Sequence, residues 1–183
     1  ALAAPWLGEG DAAMWFSRAA WGLKAVVDGH RAALGRRPPR LWLPDYFCNQ
    51  STWPLRQSPV EITFYPIDES LRPDWKACGR LAAAAPPDLF LQVHYFGFAA
   101  ALGDARAFCE SHGAALIEDC AHVPAPAGAI GGAGDYVLYS LYKHFPIPDG
   151  GLLVIRRTAD HTGQAVATAA EDVARAAPGW GRW

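Results

Sequence analysis

Of the three lysines in the chain, only Lys143 follows a strand-like apolar run and precedes a Pro/Gly turn. Lys24 and Lys76 fall in amphipathic helical stretches, where a solvated ammonium is the ordinary expectation. The run Tyr136-Val137-Leu138-Tyr139 leads through Ser140-Leu141-Tyr142 to Lys143, and then into Pro146-Ile147-Pro148-Asp149-Gly150-Gly151. A strand ending in Ser-x-x-Lys before such a turn puts an amine at the mouth of a sheet. A second apolar run, Ala114 to Glu118, ends in Asp119. An amine able to form a Schiff base and a carboxylate at the ends of two strands point to pyridoxal phosphate.

Positioning these groups requires a scaffold, and the sequence alternates short apolar runs with helical patterns. Ala12 to Phe16, Arg40 to Leu43, Val60 to Tyr65, Asp88 to Tyr95, Ala114 to Glu118, Asp135 to Tyr139 and Gly151 to Arg156 read as strands. Their length, β-branched and aromatic content and Gly/Pro punctuation favour strand over helix. The first has the weakest case, since Ala and Met are better helix formers. Helical spacing marks Arg18 to Leu34, Asp74 to Ala84, Ala100 to His112 and Gln164 to Ala176, with Gly35 and Gly113 as stops. Such alternation predicts an α/β fold of three layers, with a mostly parallel seven-stranded sheet between helices. Ligands of such sheets bind beyond the carboxyl ends of the strands. Ser17-Arg18, Tyr46-Phe47, Asp119 and Ser140 with Lys143 all fall at that edge.

Composition sets outer bounds. Residues 1–183 suit one domain with a real core, and 51% hydrophobic with 19% charged residues is a globular profile. A formal charge of -2 gives nucleic-acid binding no electrostatic support. Cys48, Cys78, Cys109 and Cys120 form no C-x-x-C pair, which favours a reducing compartment. Without a signal-like opening or a bilayer-length apolar run, a cytoplasmic location is the expectation. His94, His122 and His144 fit no metal-ligand spacing, so no metal is expected.

The segment VHYFGFAAALGDARAFCESHGAALIED, from Val93 to Asp119, and the following CAH resemble the DegT/DnrJ/EryC1/StrS family of sugar aminotransferases, fold type I pyridoxal-phosphate enzymes. Gly134-Asp135, Tyr139-Ser140 and Gly150-Gly151 resemble the family's lysine loop, and the likeness runs from Phe16 to Ile155. Several residue roles are implied by that resemblance. Lys143 is the Schiff-base lysine, three residues after Ser140 where the family usually has five. Asp119 faces the pyridine nitrogen and keeps it protonated. His122 lies near the phenolic oxygen. Ser17-Arg18-Ala19 stands where the family has Ser-Gly-Thr, at a helix N-terminus suited to a phosphate, and Ser140 donates to the same phosphate. Ser17 reads equally as a plain N-cap, and Arg18 either joins the phosphate or points to solvent. Phe47, with Tyr46 as rival, stacks on the ring.

The resemblance further implies the large domain of a homodimeric aminotransferase, taking an amino donor and a keto acceptor such as a nucleotide-linked keto-sugar. Seven strands complete that domain's sheet, with the last antiparallel. The C-terminal small domain is absent after Trp183, so the chain is expected to be a fragment, a proteolytic core or an unusually short relative. Low activity alone is the corollary. A domain without turnover, or another pyridoxal-phosphate reaction such as dehydration or desulfuration, is the alternative. Trp6, Trp15, Trp21, Trp180 and Trp183 are expected to pack against a partner chain or the missing domain.

Overall fold

The structure is a computed structural model that describes residues 2–35, 37–156 and 160–176. In chain order it contains β1 (Ala12–Phe16), α1 (Ala19–Ala33), β2 (Arg40–Pro44), β3 (Glu61–Tyr65), α2 (Trp75–Ala84), β4 (Leu89–Val93), α3 (Leu102–His112), β5 (Ala115–Cys120), β6 (Tyr136–Ser140), β7 (Gly151–Ile155) and α4 (Asp160–Ala176). The strands form one seven-stranded sheet in the order β1-β7-β6-β5-β4-β2-β3. Only β7 is reversed, pairing antiparallel with both β1 and β6. The expected α/β architecture and the antiparallel last strand are both present.

Burial follows sheet position. The central strands β4, β6 and β7 are buried along their whole length, which is why their sequences are continuous apolar runs without alternation. The edge strands β1 and β3 are only partly covered. Alternate residues of each strand feed opposite layers. Leu41, Leu43, Leu91, Ile117 and Leu138 pack with Leu23, Val26 and Val27 of α1 and Val166 and Val173 of α4. On the other face Trp42, Tyr65, Phe90 and Leu116 pack with Cys78 of α2 and Cys109 of α3. Beside that cluster, Ala3, Val123 and Ile130 cover Val137, Tyr139 and Val154.

Helix ends follow their caps. The Asp74 carboxylate accepts the Ala77 N–H at 2.9 Å and starts α2. At the end of α3, Gly113 takes the left-handed conformation, with φ of +65°.

Several sequence expectations are corrected. Asp119 and Ser140 are the penultimate residue of β5 and the last of β6, because both strands run one or two residues beyond the apolar run. The final helix begins at Asp160, four residues before Gln164. A 3₁₀ helix at Asn49–Gln57 was not anticipated, since Pro54 inside it argues against helix. Lys24 is not simply solvated, because its ammonium pairs with Asp28 one helical turn on. Within the chain Trp6 and Trp15 meet edge to face at 6.1 Å and Trp6 donates to the Pro124 carbonyl at 3.0 Å, contacts that leave both rings partly exposed. Trp21 likewise meets Trp53, at 6.2 Å. Trp180 and Trp183 lie outside the described residues. Among the described residues, no helix is long and apolar enough to cross a membrane.

Candidate active site

At the carboxyl edge of the sheet a cleft of about 320 Å³ is lined by Arg18, Ala19, Phe47, Asp119, Ser140 and Lys143. Six side chains or backbone positions singled out from the sequence therefore meet in one place. They come from the start of α1, the loop after β2, the ends of β5 and β6, and the 3₁₀ turn Leu141–Lys143 that continues β6.

One end of the cleft suits an anion. Arg18 is the N-cap of α1 but supplies no side-chain cap; its carbonyl takes the Trp21 N–H at 3.1 Å, and among the described residues the Ala19 and Ala20 amides are left for another acceptor. Gly151 makes this end possible. A Cβ there would lie 2.2 Å from the Arg18 carbonyl carbon and 2.3 Å from the Ala19 nitrogen, so only glycine lets β7 start directly beneath the helix. Ser140, buried at the end of β6, lines the same cleft.

The middle of the cleft holds Asp119, half-buried on β5. Its Oδ1 accepts the Ala121 N–H at 2.8 Å, and among the described residues nothing bonds to Oδ2. Burial pushes this carboxyl up from its ordinary value; the Ala121 amide and the charges of Lys143, His122 and His94 pull it partly back. Phe47 lines the cleft, whereas Tyr46 stacks on Tyr95 at 5.7 Å and stays exposed. Between the two rivals, only Phe47 faces the site.

At the mouth stands Lys143, exposed and, among the described residues, without an ion pair or hydrogen bond. Cys48 shares the lining, unremarked in the sequence because lone cysteines carry no signal. Burial alone would raise its thiol, but the Ser51 and Gln50 amides, the Ser51 hydroxyl and Lys143 together hold it below the usual value.

Three expected residues behave differently. Ser17 does not line the cleft; its carbonyl accepts the Gly150 N–H at 3.2 Å and tethers the turn before β7. The Arg18 guanidinium is partly exposed at the cleft and is held by its neighbours. It pairs with Asp149 at 2.5 Å, donates to the Pro148 carbonyl at 3.0 Å and lies over the Tyr142 ring at 4.3 Å. His122 is set back from the lining, accepting the Phe96 N–H on Nδ1 at 3.0 Å beneath the Phe96 ring. With Nδ1 accepting, the ring proton sits on Nε2, and burial and the Lys143 charge hold the pKa of the ring below its ordinary value.

The three histidines do not form one metal site. His144 reaches the Ala121 carbonyl at 3.3 Å, and His94 is buried elsewhere, beside Glu118 and Cys120. His94 has no lone pair to offer there. Its Nδ1 accepts the Ala100 N–H at 3.1 Å, so Nε2 carries the proton and donates to Glu118 at 2.9 Å. Glu118 also accepts the Gly131 and Ala133 amides, each at 2.7 Å, and that of Gly134. The cluster thus fastens the loop before β6 to β5.

The family comparison falls on the same segment. The model of the DegT/DnrJ/EryC1/StrS aminotransferase family matches residues 88–166, which include Asp119, Ser140 and Lys143. That match runs from the start of β4 into the first turns of α4. Among solved structures, mouse CSAD superposes with a TM-score of 0.72 at 15% identity, over 87% of this chain and 40% of that one. DesI, solved in the presence of its TDP-sugar product, gives 0.66 at 20% identity over 89% of this chain and 40% of its own. Helicobacter pylori PseC, an aminotransferase involved in the biosynthesis of pseudoaminic acid, gives 0.67 at 15% identity over 85% and 42%. At these identities the likeness shows the fold, and the chain spans less than half the length of each. No curated protein matches the sequence significantly. The family segment and the fold imply pyridoxal phosphate as cofactor. The residues present fit that group: an uncapped helix end above Gly151 for the phosphate, an aromatic ring, a carboxylate with an unpaired oxygen, and an unpaired amine.

Proposed function

We propose that this chain forms the cofactor-binding core of a pyridoxal-phosphate-dependent aminotransferase that takes an amino donor and a keto acceptor of the nucleotide-linked sugar class. The observation that carries the reading is the meeting of Lys143 and Asp119 in one cleft, neither in an ion pair among the described residues, beside the start of α1 that no side chain caps. Burial disfavours the Asp119 charge, so a cation in the cleft is its natural complement, and a protonated pyridine nitrogen is such a cation.

Bound pyridoxal phosphate supplies an aldehyde carbon for amine exchange and a ring that withdraws electrons from the substrate carbon. The first-turn amides of α1 and the Ser140 hydroxyl bind its phosphate. Asp119 Oδ2 holds a proton at the ring nitrogen while Oδ1 stays fixed by Ala121. Phe47 covers a ring face and excludes water. Lys143 Nζ would anchor the cofactor and, once released by the substrate amine, would take the proton from the donor carbon in one half-reaction and give one to the acceptor carbon in the other. The short interval from Ser140 to Lys143 favours a second reading, another pyridoxal-phosphate reaction on the same residues. A donor and acceptor screen separates the two.

Borohydride reduction of the protein with pyridoxal phosphate, followed by peptide mapping, should mark Lys143. Label confined to Lys24 or Lys76 would remove the assignment.

A further inference from the structure

Among the described residues, the turn that carries Lys143 is thinly held. Lys143 to Pro148 are all exposed, and Pro146 and Pro148 have no N–H to donate. Backbone bonds fix its ends: the Leu141 N–H meets the Gly150 carbonyl at 2.6 Å, and the His144 and Phe145 amides return to the Leu141 carbonyl at 2.9 and 3.0 Å. The His144 ring reaches the Ala121 carbonyl at 3.3 Å. Phe145 and Ile147, the large apolar residues of the turn, face solvent rather than the core.

Arg18 reaches this turn from outside, on both sides. Its Cζ lies 4.3 Å from the centroid of the Tyr142 ring, next to Lys143, and its Nη1 donates to the Pro148 carbonyl at 3.0 Å and to Asp149 Oδ1 at 2.5 Å. One guanidinium therefore ties the entering stem to the leaving stem. Its own base is firm: the Arg18 carbonyl takes the Trp21 N–H at 3.1 Å, and the backbone there rests on Gly151 so closely that no Cβ fits between them. The Ser17 carbonyl accepts from the same Nη1 at 2.8 Å and takes the Gly150 N–H at 3.2 Å.

The stem that Arg18 covers sets where the amine points. Tyr142 and Lys143 lie in the 3₁₀ turn Leu141–Lys143. With three residues per turn, neighbouring side chains there project about 120° apart, so pinning the Tyr142 ring fixes the direction of Lys143. As a plain surface ion pair the contact with Asp149 would be worth little, because the Arg18 side chain is 43% exposed. An ammonium could make that ion pair. It could not lie over the Tyr142 ring while its edge donates to two acceptors, which takes a planar guanidinium.

We propose that Arg18 is a positioning residue for Lys143: its guanidinium clamps the two stems of the lysine turn and so aims the amine into the cleft. This rests on the reading of Lys143 as the residue that captures pyridoxal phosphate, whereas the clamp itself needs no cofactor. It differs from a phosphate-binding role for Arg18, since Nη1 is shared among three acceptors of the chain and Asp149 balances the charge.

Two readouts on the whole chain test it. Hydrogen exchange of the cofactor-free protein reads the clamp: in Arg18→Gln the Leu141, His144 and Phe145 amides should exchange about tenfold faster, with those of β5 unchanged. Arg18→Lys and Tyr142→Leu should behave like Arg18→Gln, and Tyr142→Phe like the parent. Borohydride-fixed label reads the lysine. Arg18→Gln should slow capture of pyridoxal phosphate at Lys143 about tenfold. Its affinity for pyridoxine 5′-phosphate, which has the ring and the phosphate but no aldehyde, should stay that of the parent. Unchanged exchange in Arg18→Gln would overturn the proposal, and so would full rescue by Arg18→Lys. Equal losses for the two phosphates would also overturn it, by making Arg18 a phosphate ligand. A parent that takes no label at Lys143 would instead remove the aminotransferase reading, and faster exchange in Arg18→Gln would still uphold the clamp.

Discussion

Two adjacent carboxylates on β5 show how far a residue's surroundings decide its work. Glu118 and Asp119 point to opposite faces of the sheet. Glu118 is 0% exposed but saturated by donors, and these outweigh burial and hold its carboxyl below the ordinary value. Its contribution to stability is therefore complete above the unfolded carboxyl's pKa and is lost as pH falls through the lower folded value. We expect Glu118→Gln to cost about 3 kcal/mol at neutral pH, since amides fixed to meet a carboxylate would face an amide. The variant's stability should also fall less steeply between about pH 5 and strong acid, by denaturant titration at several pH values. Asp119 has the opposite sign: burial raises its carboxyl, so its charged form opposes folding as pH rises from the unfolded carboxyl's value through the higher folded one. Asp119→Asn should raise the melting temperature of the cofactor-free protein by a few degrees, about 2–4 °C, while lowering turnover roughly 10²-fold or more. Unchanged turnover would take Asp119 out of the mechanism. At this scale Lys143, Asp119, Ser140 and Phe47 were legible, because residue type and strand-end position already imply their chemistry. The partners were not. Arg18 meets Asp149 across 131 positions of sequence, and nothing local announces that pairing.

The elements were legible wherever periodicity is strong. All seven strands and four helices lie where apolar runs and caps place them. The errors lie at ends, where polar Asp119 and Ser140 continue ladders that their types do not favour. β1 is the instructive case, because Ala12, Ala13 and Met14 form a strand only by pairing with Val154, Leu153 and their neighbours on β7. Tertiary pairing there overrides propensity. The Asn49–Gln57 helix was hidden for a related reason, since it lies against α1 and brings Cys48, Ser51 and Trp53 to the cleft rather than following a local pattern. The junction of α1 with β7 is where an element-scale change should be most damaging. Gly151→Ala places a methyl 2.2 Å from the Arg18 carbonyl carbon, and backbone on both sides leaves no soft side chain to yield. We expect a loss of about 3 kcal/mol by denaturant unfolding, and a larger proportional loss of affinity for pyridoxal phosphate than for its unphosphorylated form, pyridoxal. Equal losses for both would separate the helix end from phosphate binding.

At the scale of the whole molecule, apolar surface is concentrated around the cleft. Tyr46, Trp53, Phe96 and Phe145 are all exposed, and they stem from the loops after β2, β4 and β6, which surround the site. Aromatic side chains carry roughly 150–250 Å² each, so four of them about half exposed present roughly 300–500 Å² of apolar surface. That is around half of the roughly 800 Å² that one partner buries in an ordinary interface. A patch of this size beside a functional cleft is a site of association more often than bare surface. Phe96 strengthens the case, because it holds a φ of +54°, costly for a bulky residue, while its ring stacks on His122 and faces outward. We therefore expect a homodimer whose contact closes the cleft, with the aromatic residues at its centre. Sedimentation at micromolar concentration should show about twice the 19.7 kDa chain mass. Trp53→Ser combined with Phe145→Ser should shift the protein toward monomer and weaken cofactor binding about tenfold, without lowering the unfolding temperature of the monomer. A strictly monomeric double variant that binds pyridoxal phosphate as tightly as its parent would show that the site is complete in one chain, and the exposed rings would then need another partner.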